Sequence, residues 1–422
     1  MTKVTKSIIV TASVVIPLFM MIGCGDSLSK PTTAEVKGGE LLVNFPASAI
    51  KPSLVEKGVI SESQTVYGYK AYKIPYTTRD EEGNEVEASG LFVVPTGLPA
   101  IVNTTLGLSM VSDDHGTIFA NAEAPSVIAD ATGAPDGSSI ILTSLGGFAT
   151  LQPDYIGFGD SKEHYHPFIL KDSLANATVD FIKQVKIFSS DNNITLNNQL
   201  FLTGYSEGGY AAMATLKKIE EEQLSDLTVT MTAPMAGPYD LKTMADFVLS
   251  QPKLGVPSFM ANIGFAYAKA YNQELSSIIN EPYASSLPTL FNGDLERPAI
   301  DPQLTYDTTG EKGLFVSDFV SDYITNDDNW FKVRLLENSL HTWVPNSAVR
   351  LVHCEGDDVI PFGISQIAEG TMNAMGANNV AIVPVETVLG LPEKVGHASC
   401  GALAYTVTTG MFAKVRKETI GY

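Results

Sequence analysis

Ser206 stands where a strand-like segment meets a helix-like one. Leu200-Phe201-Leu202 reads as a short buried strand and Gly208 to Gln223 as a helix. Between them lies Gly204-Tyr205-Ser206-Glu207-Gly208, with Gly209 following. A serine so placed must sit on a sharp turn, with its hydroxyl exposed beyond the carboxyl end of a parallel strand. The flanking glycines remove side chains where strand and helix backbones crowd. The helix start aims free N–H groups at any negative charge that develops there.

The rest of the chain fits a sheet built around that turn. Thr65 to Thr77 is rich in aromatic and aliphatic residues, a polar turn follows at 79–84, and Leu91-Phe92-Val93-Val94 ends at Pro95, which together predict an antiparallel hairpin at the edge of a larger sheet. Strands are expected at Leu106 to Ser112, Phe148 to Leu151, Leu227 to Met231, Arg350 to His353 and Val380 to Val385. Leu174, Ala177, Phe181, Val185 and Phe188 recur at helical spacing, predicting an amphipathic helix over 172–189. This alternation predicts an α/β fold with a mostly parallel sheet covered by helices on both faces. The stretch 239–346 breaks the rhythm. Its apolar stripes and repeated prolines read as a mainly helical cap inserted over the site, since ligands bind beyond the carboxyl ends of parallel strands. A separately packed subdomain is the alternative.

A serine hydroxyl needs a general base. Of six histidines, only His341, His353 and His397 follow Ser206, and in this arrangement the partners run in the order serine, acid, histidine. His341 falls in the cap and His353 ends a strand, where it reads as buried structure. His397, in a loop after the last expected strand, is the candidate base. Cys354-Glu355-Gly356-Asp357-Asp358 follows a strand, so Asp357 is the candidate acid, with Asp358 as its rival. Two oxyanion donors are expected. One is the N–H of Glu207. The other comes from His115-Gly116-Thr117, assigned to Thr117 with Gly116 as the alternative, and His115 shapes the loop. Asp154 to Asp160 lacks the acidic spacing of a calcium loop and reads as a tight turn; no metal or other cofactor is expected.

These stretches together resemble the secretory lipase family of α/β-hydrolases and related bacterial lipase-like esterases. The matching segments are His115-Gly116-Thr117, Pro153 to Asp160 with His166-Pro167, Gly204 to Gly209, Asp357 to Pro361 and His397. The resemblance implies an α/β-hydrolase fold and cofactor-free hydrolysis of carboxylic esters or lipids, with an acyl-enzyme formed on Ser206. A serine peptidase of the same fold, and a catalytically silent binding lipoprotein, are the competing expectations; the intact Ser206, Asp357 and His397 weigh against the second.

The first residues address the chain to the cell envelope. Lys3 and Lys6 precede an apolar run, Ile8 to Gly23, shorter than the ~20 residues a membrane span requires. Met21-Ile22-Gly23-Cys24 resembles the lipobox of bacterial lipoproteins. The expectation is a signal peptide over 1–23, lipidation of Cys24, a polar tether over 24–45, and a hydrolase core formed by 46–238 and 347–422, held on the membrane facing the periplasm or the surface. A net charge of −20 argues against nucleic acid as a partner. With Cys24 lipidated, two cysteines remain. Cys354 lies three residues before Asp357 and Cys400 three after His397, so a Cys354–Cys400 disulfide is expected, with two free thiols as the alternative.

Overall fold

A computed structural model describes residues 36–422. The expected leader and Cys24 lie outside the described residues. The described chain forms a nine-stranded sheet in the order β1-β2-β3-β5-β4-β6-β7-β8-β9. The strands β1 (Glu40–Phe45), β2 (Gly68–Arg79) and β3 (Glu85–Thr96) are antiparallel to their neighbours, and β3 meets β5 (Ala149–Pro153) in the same sense. From β5 onward, β4 (Leu108–Asp114), β6 (Leu196–Tyr205), β7 (Val229–Met235), β8 (Ala348–His353) and β9 (Val380–Pro384) pair in parallel. This is the α/β-hydrolase arrangement. β4 is buried along its whole length, as a parallel strand covered on both faces must be.

The hairpin β2–β3 forms around the turn where Asp80 Oδ1 accepts the backbone N–H of Asn84 at 2.8 Å. It is not the outermost element. β1 pairs outside it, and β1 comes from the stretch expected to be tether. The tether boundary at residue 45 is therefore corrected: Leu42 and Val43 are buried against the sheet, so the polar stretch ends before Glu40.

Two helices set the site. α1 (Lys171–Asp191) buries Leu174, Ala177, Phe181, Val185 and Phe188, with Phe181 against Tyr76 and Phe188 against Tyr72 at ring separations of 5.1 and 5.2 Å. α2 (Glu207–Glu221) follows β6 without a linker beyond Ser206.

Between β7 and β8 the chain leaves the sheet for a mainly helical excursion that includes α3 (Leu241–Ser250), α4 (Pro257–Ala270), α5 (Tyr283–Leu290), α6 (Ser317–Thr325) and α7 (Trp330–Asn338). Its apolar side chains do not form a core of their own. Phe265, Tyr267, Phe331 and Leu335 belong to one buried cluster with Leu174 and Tyr210 of the helices on the sheet. Polar pins reinforce the seam: the hydroxyl of Tyr210 donates to Asn338 O at 2.6 Å, and that of Tyr267 to Ile169 O at 3.1 Å. After β8 come α8 (Phe362–Ala374), β9 and α9 (His397–Ile420).

Candidate active site

Ser206 has φ 61° and ψ −118°, a left-handed conformation that side-chain-bearing residues rarely adopt. The surroundings hold it there. Its N–H donates to Met235 O at the end of β7 at 2.9 Å. The α2 backbone sits so close to the sheet that a Cβ on Gly208 would lie 1.8 Å from Asp114 O, and one on Gly209 2.3 Å from Met235 O. Only glycine fits either position, which is why the motif needs both.

His397 is the first residue of α9, so the candidate base is placed by a helix rather than by the loop expected from sequence. Its Nε2 is 3.0 Å from Ser206 Oγ and its Nδ1 is 2.6 Å from Asp357 Oδ2. A carboxylate only accepts, so Nδ1 carries the hydrogen and Nε2 is left to accept from the serine hydroxyl. The two adjacent aspartates divide: Asp357 meets the ring, while Asp358 Oδ1 accepts the backbone N–H of His397 at 2.9 Å and fixes the start of α9. Asp357 Oδ1 takes the backbone N–H groups of Val359 and Ile360 at 2.9 and 2.8 Å. Burial by itself would raise this carboxyl, but the hydrogen bonds from His353 and His397, the His397 charge and the Val359 N–H hold it well below the usual carboxylate range.

Cys354 and Cys400 are joined by a disulfide with a Cα separation of 6.0 Å. It ties the end of β8 to the first turn of α9, and so joins the segments that carry Asp357 and His397.

The loop His115-Gly116-Thr117 faces Ser206. A Cβ on Gly116 would be 3.8 Å from Ser206 Cβ and 3.0 Å from Tyr205 O, so glycine lets the loop approach. The His115 ring lies over Tyr155 at 4.1 Å, with its nitrogens 2.8 Å from Gly116 O and 3.2 Å from Asp154 O. Asp113 and Asp114, just before the loop, are buried. Asp113 Oδ1 accepts from Tyr405 at 2.6 Å and Asp114 Oδ1 from Thr178 at 2.8 Å. Asp154 is a structural anchor: its carboxylate accepts from the hydroxyls of Ser89 and Ser126, both at 2.6 Å. Among the described residues no group of three or more His, Cys, Asp or Glu could hold a metal. His341 sits in the excursion, 3.7 Å from Asp240.

Gly116, Thr117, Ser206, Glu207 and His397 open into one cavity of about 820 Å³. The excursion supplies a mainly apolar part of its lining, with Met244, Val248, Phe259, Met260, Phe319 and Leu335 beside Gln251, Lys253 and Arg297. An apolar chamber with a few convergent polar groups at one end suits a small organic ligand with a reactive polar centre.

Two contacts escaped sequence reasoning. His353 is buried, as expected for a strand end, yet its Nε2 lies 3.2 Å from Asp357 Oδ2. The signal was its place four residues ahead of the candidate acid, Asp357, at a strand's carboxyl end. Glu207 points its side chain not at the site but at His166, with Oε1 2.7 Å from Nε2; nothing in the local pattern distinguished this from an exposed first-turn glutamate.

Residues 132–404, a span that holds Ser206, Asp357 and His397, match the family model of the secretory lipases. The chain belongs to the secretory lipase family. As a member it is a carboxylic ester hydrolase. Among solved structures it is similar to a Legionella pneumophila protein described as a hydrolase, at 21% identity and TM-score 0.79, covering 92% of this chain and 99% of that one. It is also similar to the rice cell wall degrading esterase LipA of Xanthomonas oryzae, at 23% identity and TM-score 0.74, covering 93% and 98%. Lipase A of Candida antarctica follows at 15% identity and TM-score 0.56, covering 88% and 78%. At these identities the likeness is one of fold. No curated protein matches the chain.

Proposed function

We propose that this secretory lipase hydrolyses esters of apolar acids through an acyl-enzyme on Ser206. The relay Ser206 Oγ to His397 Nε2 (3.0 Å) and His397 Nδ1 to Asp357 Oδ2 (2.6 Å), at the polar end of an apolar cavity, carries the reading. His397 takes the Ser206 proton as Oγ attacks the ester carbonyl carbon. The resulting oxyanion accepts from the N–H of Glu207, at the start of α2, and from that of Thr117, with Gly116 adjacent as the alternative donor. The carbon–alcohol bond then breaks and the alcohol leaves with the proton held by His397. Water repeats the sequence: His397 accepts its proton, hydroxide adds to the acyl carbon, and Ser206 regains the proton as the acid departs. Asp357 keeps the Nδ1 hydrogen in place and balances the imidazolium throughout.

The excursion between β7 and β8 is the acyl-chain wall in this reading, because its apolar side chains line the same cavity as Ser206. No described helix is long and apolar enough to cross a membrane. The export expected of a secretory lipase is then completed by lipid on Cys24, a reading that rests on the Met21-Ile22-Gly23-Cys24 motif. Cys24→Ser should move the protein from the membrane to the soluble fraction with its hydrolysis intact; a variant still bound to membrane contradicts the anchor.

The test is a panel of p-nitrophenyl esters from acetate to palmitate beside peptide anilides. Ester turnover should fall at least ~10⁴-fold in Ser206→Ala, and Ser206→Ala with His397→Ala should be little worse than either alone. Wild-type turnover by Ser206→Ala, or anilides cleaved in preference to esters, overturns the reading.

A further inference from the structure

Asp357 Oδ2 has two histidine partners, not one. His397 Nδ1 approaches at 2.6 Å and His353 Nε2 at 3.2 Å. His353 Nε2 also lies 3.0 Å from Ile360 O. A carboxylate and a carbonyl both only accept, so Nε2 must carry the hydrogen. On the other side of the ring, Nδ1 is 2.8 Å from Ser365 Oγ, whose hydroxyl can donate to it. The neutral ring thus satisfies all its partners with one tautomer. His353 is fully buried at the end of β8, Ser365 is on α8, and Phe362 packs edge-on against the ring at 5.6 Å. A rigid strand and helix therefore fix the direction of one N–H bond, which is shared between Ile360 O and the Asp357 oxygen that holds the base.

We infer that His353 is a positioning residue of the catalytic relay: its Nε2–H shares Asp357 Oδ2 with His397 Nδ1, and so sets both the direction of the carboxylate and how much of its charge the base receives. The inference rests on the catalytic reading above. With two donors on Oδ2 and two backbone donors on Oδ1, Asp357 has no freedom to rotate about its carboxyl axis. The first donor to Oδ2 also draws charge away from the second, because each polarises the same oxygen. The other charged groups around the relay are differently engaged. Asp358 accepts the His397 backbone N–H, Glu386 accepts the N–H groups of Glu355, Gly356 and Val395, and Glu355 pairs with Lys394 at 3.2 Å. Tyr205, beside His397, donates its hydroxyl to His397 O at 2.7 Å and stays neutral, since burial and then the Asp357 charge push its phenol up. None of them is a second donor to Oδ2 among these contacts.

Two substitutions separate the role from mere packing. His353→Met fills similar space without a donor, and His353→Gln offers an amide N–H that can reach Asp357. In the Met variant kcat on a p-nitrophenyl ester should fall roughly tenfold with KM within about twofold, because orientation rather than binding is lost. The acid limb of its kcat/KM profile should move up by about half a pH unit, because Asp357 then gives His397 its undivided charge and the imidazolium gains stability. The Gln variant should recover most of kcat and restore the limb. A substrate-free readout is the low-field proton resonance of His397 Nδ1–H, which should shift in the Met variant and return towards its original position in the Gln variant. Unchanged kcat, limb and resonance in a folded Met variant overturn the inference, as do equal losses in both variants with no shift of limb or resonance. If neither variant folds, the wild-type spectrum decides: two low-field histidine N–H signals that both move in Asp357→Asn support the shared oxygen, and a single one refutes it. Absence of all ester turnover in the wild type, by contrast, refutes the catalytic reading and leaves the resonance result standing.

Discussion

Glu207 Oε1 lies 2.7 Å from His166 Nε2, with both side chains buried. The other ring nitrogen of His166, Nδ1, faces Ile156 O at 2.9 Å and therefore carries a hydrogen. This ties the residue after Ser206 to the loop that follows β5, and so orients the first N–H of α2. Glu207→Ala leaves the imidazole without its partner and should lower the unfolding free energy by about 3 kcal/mol. The measurement is the urea midpoint at constant slope. Glu207→Gln, which keeps a hydrogen-bonding group, should lose less. An Ala variant as stable as the parent would show that the contact contributes nothing.

Asp113 gives a pH dependence of defined sign. It accepts from Tyr405 and Ser138, both at 2.6 Å, and from Gln152 at 3.0 Å. Burial, then the nearby Asp136 charge, pushes its carboxyl up to about 7 against the pull of those donors. The folded chain then holds a proton that the unfolded chain has released between about pH 4 and 7. The stability linked to it is fully present below about pH 4 and lost as pH rises through about 7. Relative to Asp113→Asn, which has no such proton to lose, the parent should lose about 2–3 kcal/mol between pH 5 and 8. Parallel stability curves for the two proteins would refute this.

The Cys354–Cys400 bridge closes 46 residues of chain. Loop-closure arguments give roughly 4 kcal/mol for such a cross-link. Cys354→Ala with Cys400→Ala should lower the unfolding free energy by that order. It should also slow turnover more than it weakens substrate binding, since the segments that carry Asp357 and His397 are then held together only by hydrogen bonds and packing. A double variant with the parent's urea midpoint removes the bridge from the list of stabilising features.

Met244 on α3 lines the cavity wall and is only partly buried. Met244→Trp should shorten the usable chamber. Palmitate hydrolysis relative to acetate should then fall roughly tenfold or more, with acetate little changed. A folded variant with an unaltered ratio would indicate that acyl chains do not reach this wall.

The sequence made the sheet legible where strands were long and apolar, because a strand buried on both faces has no polar face to confuse its pattern. It failed at β1, where only Leu42 and Val43 are deeply buried and a polar run precedes them. Residues at the site were legible when chemistry restricted the choice. Few histidines follow Ser206, and the chain order of partners isolates His397. Sequence named Asp357 with Asp358 as its rival, because both sit in the same turn; the fold puts Asp357 on the His397 ring and Asp358 on its backbone. His353 was read as structure because burial and function look alike from sequence. Its contact with Asp357 depends on how the turn after β8 curls back.

The separation of Ser206 from His397 by 191 positions, and of Asp357 from His397 by 40, has a kinetic consequence. Every long closure must be complete before the three side chains meet, and distant contacts form late because ordering the intervening chain opposes them. The helices, held by local contacts, need not wait. On dilution from denaturant, helical ellipticity should therefore return ahead of hydrolysis, and the lag between the two signals times the final closure of the chain around Ser206, Asp357 and His397.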